Sequence, residues 1–298
     1  MLQHKNYVGS QASALVKMMI SMVIFGSIGF FTQLSGLPSI ELVFVRCICA
    51  TLFLAIVWVV TGQHKQEQWQ YKEVLQTLLC GFFLVFNWVF LFKAFEHTSV
   101  TVAISIYHLA PVFVMVLGGI VYREKLTMKS IFAVIACFTG TVLISNVDFS
   151  QPIKELLPIG VVWALFAALF YAALAMIGKG IKNLSPYATT FLQTGLGVFM
   201  LLPLVDFSVF QSVTATNWIY ILATGIIHTG IVYLLYFDSL RFLKTSVISI
   251  LAFLDPAVAI ILDTLIVGFR PNELQTIGIL LIFMGMSLTF IKFRKSAV

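Results

Sequence analysis

The chain has 298 residues, 60% of them hydrophobic and 10% charged, with a net charge of +6 and a mean hydropathy of +1.02. Soluble domains carry about 25% charged residues, so this composition excludes a water-soluble globular protein. Nor does the positive charge indicate nucleic acid: the 18 Lys and Arg stand in ones, twos and threes between apolar runs, where they read as topology signals.

In chain order, apolar runs predict transmembrane helices over 16–33, 40–61, 74–93, 99–121, 129–147, 157–178, 186–204, 217–238, 245–268 and 274–292. Each run has about 18 residues or more, enough at 1.5 Å per residue to cross a hydrocarbon core about 30 Å thick. Lys5 and Lys17 precede the first run with no small-residue cleavage pattern around Thr32 to Gly36, so the first helix is expected to remain uncleaved. With the N-terminus inside, Lys93, Lys154 and Arg270 alone fall outside, Arg46 lies within a run, and every other Lys and Arg is cytoplasmic. This asymmetry predicts an all-α integral membrane protein with ten transmembrane helices and both termini in the cytoplasm. Cys47, Cys49, Cys80 and Cys137 all fall inside apolar runs, without zinc-site spacing, and are expected as buried free thiols.

The chain is also duplicated. TVAISIYHLAPVF from Thr101 overlies SVISILAFLDPAVA from Ser246, with Pro111 on Pro256 and, further on, Gly140 on Gly285. Upstream, SGLPSIELVFVR overlies KNLSPYATTFLQ, which puts Arg46 on Gln193. The expected layout is a five-helix repeat over 1–148 and a second over 149–298. Five is odd, so the second copy enters the membrane in the opposite sense, making inverted repeats.

Polar side chains within spans are costly and need a reason, since a charge at mid-bilayer costs at least about 2.5–3.5 kcal/mol. His108 and His228 lie roughly 14 Å into the fourth and eighth spans, and Asp255 a similar depth into the ninth. Thr101 and Ser105 share the face of His108, so that stripe is expected to turn inward, with Tyr107 beside it. Asp255 precedes Pro256, which cannot donate to the Ala252 carbonyl; a broken backbone beside a carboxylate suits a cation or a substrate amine. Asp263 shares its stripe toward the outer end. Arg46 suits a substrate carboxylate or a structural pair with Glu41 or Asp263. Asn87, Trp88 and Gln193 are weaker cavity-lining candidates, for which interhelical hydrogen bonding is the competing explanation. For the histidines and Asp255 that alternative is a core group satisfied by a neighbouring helix. Ala164, Ala168 and Ala172 recur at i+4 and predict close helix packing.

The pattern resembles the drug/metabolite transporter superfamily, in its ten-helix EamA branch. The resemblance rests on Phe25-Gly26 in the first span, Arg46 in the second, the small-residue stretch from Thr98 to Pro111, and Tyr122-Arg123-Glu124-Lys125-Leu126-Thr127. The last resembles the family's Gly-Glu-(Arg/Lys)-Leu-(Ser/Thr) turn, although Arg123 replaces its glycine and Phe269 stands where the second copy usually repeats the glutamate. The resemblance implies a secondary transporter, often an exporter of amino acids or related metabolites, in the cell membrane. The expected partners are a small-molecule substrate, the bilayer and protons, with no cofactor and no metal, in a monomer or weakly associating dimer. An intramembrane enzyme is the first competing class, and no HExxH, GxSG or GxGD motif supports it. A receptor is the second, disfavoured by the repeat and the lack of a long extracellular domain. Uptake of a specific nutrient stays open.

Overall fold

The computed structural model describes residues 2–97, 100–144, 159–268 and 270–290. Thr98, Lys154, Phe269, Lys292, Arg294 and Lys295 lie outside the described residues, as do the side chains of Lys5, Thr101, Ser105 and Asp263. All regular structure among the described residues is helical. The helices are α1 (Leu2–Ser35), α2 (Ser39–Val60), α3 (Tyr71–His97), α4 (Val100–Tyr107), α5 (Ala110–Val121), α6 (Met128–Ile144) and α7 (Ile159–Gly180). They continue as α8 (Pro186–Leu201), α9 (Ala215–Gly225), α10 (Val232–Leu240), α11 (Thr245–Ala252), α12 (Leu254–Leu262) and α13 (Glu273–Phe290). Two π-helical segments, Ile226–Ile231 and Asp263–Val267, join α9 to α10 and extend α12.

Seven helical stretches are long and apolar enough to cross a membrane: Gln11–Thr32, Ser39–Val60, Tyr71–Ala94, Ile159–Gly180, Pro186–Leu204, Ala215–Leu240 and Thr245–Ile266. Ala110–Val121, Met128–Ile144 and Glu273–Leu288 are shorter apolar helices. All fall on runs read from the sequence. What differs is continuity. The run 99–121 is two helices separated at His108–Leu109, ahead of Pro111. The ninth run breaks likewise at Phe253, ahead of Pro256, as the missing proline N–H leads one to expect.

The chain forms two compact units, each drawing on both halves of the sequence. The first is Met1–Phe86 with Ile177–Leu243, the second Asn87–Met176 with Lys244–Val298; the division falls inside α3 and α7.

In the first unit α2 packs on α8. Thr51 donates to Thr194 across them at 2.8 Å, and a Cβ on Gly197 would lie 2.8 Å from Cys47 Sγ. Lys17 of α1 pairs with Asp238 of α10. The turn before α8 is held by two acids: Glu73 accepts the backbone N–H groups of Lys182, Asn183 and Leu184, plus Asn183 Nδ2, at 2.9–3.2 Å, and Glu67 accepts Ser185 N–H at 3.0 Å. Ser185 then caps α8 by accepting from Ala188 N–H, with Pro186 in the first helical position, where its missing donor costs nothing. Glu41 is spent in the same way on Asp206 N–H at 3.0 Å. Asp206 in turn caps the short helix after it, and the Ser208 donors hold its carboxyl below the usual carboxylate range.

In the second unit α6 packs on α13 through glycines. A Cβ on Gly140 would meet the Gly278 carbonyl at 2.5 Å, one on Gly285 would meet the Ala133 carbonyl at 2.8 Å, and Cys137 Sγ donates to Ile282 O at 3.5 Å. These contacts map onto one another when each residue is exchanged for the one 145 positions away, as a twofold relation between the copies requires. Spans 4 and 9 touch here directly: Gly118 of α5 is so close to α11 that a Cβ would sit 1.9 Å from Thr245 Oγ1. Glu124 caps α11, accepting from Thr245 N–H at 2.8 Å and Thr245 Oγ at 2.7 Å. Arg123, in the family's glycine position, has φ 51, and Gly268, 145 residues on, has φ 75. Both turns therefore adopt the left-handed backbone that favours glycine, and only the second has one.

Candidate functional site

In the second unit the two helix breaks bring four of the candidates into one neighbourhood. Tyr107 ends α4, His108 occupies the break, and Asp255 opens α12. The rings of His108 and Phe253, residues 145 apart, stack at 6.5 Å with 26° between planes. His108 Nδ1 lies 2.8 Å from the Ile104 carbonyl, and a carbonyl only accepts, so the hydrogen is on Nδ1. In the neutral ring Nε2 is then left as an acceptor.

Asn87 of α3 donates to the Ala167 carbonyl at 2.8 Å and exchanges longer contacts of 3.3–3.4 Å with the Tyr107 hydroxyl. Its amide is therefore oriented by α7 and in turn orients Tyr107. Tyr171 stands edge-on to Tyr107 at 5.9 Å. Asp255 is of intermediate exposure as a residue, and its carboxylate receives no hydrogen bond or ion pair among the described residues. His108 is 7% exposed, Trp88 is buried nearby in sequence to Asn87, and the alanines at 164, 168 and 172 are fully buried as the packing stripe predicts.

The first unit holds the remaining candidates. Arg46 is 2% exposed; its Nε donates to Thr229 Oγ1 at 3.0 Å and one terminal nitrogen approaches the His228 carbonyl at 3.5 Å. Thr229 is positioned by the π segment, since its hydroxyl donates five residues back to the Thr224 carbonyl at 2.9 Å. Ser27 Oγ lies 2.9 Å from His228 Nε2 and 2.8 Å from the Ile24 carbonyl, while His228 Nδ1 faces the Ala223 carbonyl at 3.5 Å. Phe31 packs on the His228 ring at 4.7 Å. Gln193, the counterpart of Arg46, lies instead against Gly81, whose Cβ would be 3.0 Å from Gln193 Cα.

Sequence reasoning missed Phe253, Tyr171, Ser27 and Thr229. Phe253 carried a usable signal, because it is the repeat counterpart of His108. Ser27 and Thr229 carried none: their contacts join residues 201 and 183 positions apart. No group of three or more His, Cys, Asp or Glu gathers among the described residues.

Comparisons with known proteins fit this architecture. The pattern of the EamA-like transporter family matches residues 12–146 and again 158–291. The uncharacterized transporter YxxF of Bacillus subtilis (strain 168) is 61% identical over 287 residues, 96% of this chain and 92% of that protein. An uncharacterized transporter of Archaeoglobus fulgidus is 24% identical over 268 residues, covering 90% of this chain and 92% of its own length. A crystal structure at 16% identity superposes with a TM-score of 0.79 over 95% of this chain and 99% of that one, which extends the likeness of fold. With matches over both halves and a relative this similar across nearly its whole length, the chain is a multi-pass membrane transporter and belongs to the EamA-like transporter family.

Proposed function

We propose that the chain is a secondary transporter of the cell membrane with ten transmembrane helices, arranged as inverted five-helix repeats over 1–148 and 149–298 with both termini cytoplasmic. It exports amino acids or related small metabolites by alternating access, in exchange for protons. His108, Asp255, Tyr107 and Asn87 contact substrate or proton, and Arg46 and His228 brace the helices of their own unit. Trp88 and Asp263 complete the proposed set of contacts. One observation carries the reading: a carboxylate without a partner among the described residues stands at a helix break in the middle of an apolar span, beside the break that presents an imidazole. A transporter needs such groups where a structural protein would pair them. An imidazole and a carboxylate are also the side chains best suited to exchange protons with a physiological gradient.

Purified protein in liposomes, offered a panel of amino acids and metabolites under an imposed pH gradient, tests this. His108→Ala and Asp255→Asn are each expected to lower flux by more than about tenfold, with folding and insertion intact. Flux indifferent to the gradient and to Asp255→Asn removes the coupling. A C-terminal reporter active only outside the cell reverses the orientation.

A further inference from the structure

Resting on that reading, we propose that the second unit recognises its substrate by a primary ammonium group carried on an apolar body, with Asp255 as the selecting residue.

Three features of this neighbourhood converge on a donor-bearing ligand. The first is what its polar atoms can do. Asp255 offers two carboxylate oxygens that no described residue occupies. The Nδ1 hydrogen of His108 is already used on the Ile104 carbonyl, so in the neutral ring its free nitrogen can only accept. Both amide groups of Asn87 are engaged, one hydrogen on Ala167 O and the rest on Tyr107, so it brings no spare donor to an anion. Pro256 has no N–H to give the Ala252 carbonyl, so the proline adds no donor to this group either. A carboxylate or phosphate entering this group finds like charge and few hydrogens; an ammonium finds acceptors.

The second feature is that, among the described residues, no compensating cation stands inside the unit. Its described Lys and Arg lie near or beyond helix ends: Lys93, Arg123, Lys125, Lys129, Lys244 and Arg270. The interior acid therefore has no built-in counter-ion along its own elements, and a bound cation supplies one.

The third is the wall. Phe253, two residues before the acid, stacks on His108, with Tyr107 and Tyr171 edge to face, and the faces of such rings attract organic cations. An inorganic divalent ion needs six or more oxygens from several groups, and the described residues offer no such cluster. Only one copy carries the acid. Ala110 is the counterpart of Asp255, so the duplication supplies one ammonium site and not two.

The test uses purified full-length chain in nanodiscs and three probes of one shape: phenethylamine, 2-phenylethanol and phenylacetate, with a series of n-alkylamines to scan length. Binding is read by calorimetry and by thermal stabilisation. Phenethylamine or a member of the amine series is expected to bind at least about tenfold more tightly than the alcohol or the acid, the worth of one charged hydrogen-bonded contact. Asp255→Asn is expected to erase that preference, and Asp255→Glu to retain it with a shifted length optimum. If Asp255→Asn fails to fold, the Glu variant and the wild-type ranking decide. The proposal is overturned if no amine in the series binds, if alcohol or acid binds equally well, or if Asp255→Asn keeps the preference. Liposome flux separates this from the transporter reading. Movement of anions or neutral metabolites with no amine preference refutes the ammonium class alone, whereas folded protein that moves no solute removes both.

Discussion

The interior of the first unit is organised around a guanidinium and that of the second around a carboxylate, and the two are handled in opposite ways. Arg46 is nearly sealed and tied to a hydroxyl and a carbonyl of the π segment. Asp255, of intermediate exposure as a residue, stands at a helix break two residues after the stacked Phe253, with no described partner. A buried charge held by its own scaffold fixes helix register; one left without a partner at a backbone break is available to something else. Packing contrasts by site and not by unit: α6 and α13 meet backbone to backbone at Gly140 and Gly278, while Gly197 meets the side chains of Cys47 and Val85.

The largest expected effect breaks that packing contrast. Gly140→Ala places a methyl 2.5 Å from the Gly278 carbonyl, which can move only with its helix, and is expected to cost about 3 kcal/mol or more. Gly197→Ala faces side chains that can rotate and is expected to cost about 1 kcal/mol. Melting of the two variants in detergent checks the order, and equal losses remove the distinction.

Next come the acids that cap helices. Glu73 gathers three backbone N–H groups and an amide, Glu124 one N–H and one hydroxyl. Glu73→Ala is therefore expected to cost about 3 kcal/mol and Glu124→Ala about half that, from the usual worth of charge-assisted hydrogen bonds. A chemical-denaturation series on both variants resolves the ranking, and a larger loss at Glu124 reverses it.

The smallest effect has the opposite sign. Arg123 bears a left-handed φ of 51 that costs an L-residue about 1 kcal/mol, so Arg123→Gly is expected to stabilise the chain by roughly 0.5–1 kcal/mol. Gly268→Ala, at the equivalent turn with φ 75, is expected to destabilise by a similar amount. Paired melting curves that shift in the same direction contradict this account of the turns.

Much of the fold could be read from the chain because a bilayer imposes long apolar runs, and the duplicated prolines marked where two of those runs break. The π segments could not be read. They arise where the ladder slips to five-residue spacing under packing, as the Thr229 to Thr224 hydrogen bond shows, and no local residue type announces that. Arg46 illustrates the same limit. Its depth suggested a partner such as Glu41, yet Glu41 serves Asp206, and the visible partner Thr229 is 183 positions away. The grouping into units was hidden too, since each draws on both repeats and a linear division near 148 describes only the duplication. For the candidate site, His108, Tyr107 and Asp255 stood out as polar groups in apolar spans, while Phe253 and Tyr171 looked like any other aromatic bulk.

The stacked pair His108 and Phe253 has a consequence for energetics. Two residues that a twofold relation exchanges, and that touch each other, lie on the axis itself, and Cys137 with Ile282 lies there as well. Were the two repeats identical in sequence, exchanging their shapes, as the proposed alternating access does, would return a molecule of equal energy, and the inward and outward forms would be degenerate. Histidine is not phenylalanine and cysteine is not isoleucine, so the swap exchanges unlike environments along the one line where neither side can hide the difference. Under the proposed alternating access the degeneracy is lifted from within, and the empty protein would have a preferred resting form before any solute or gradient acts on it.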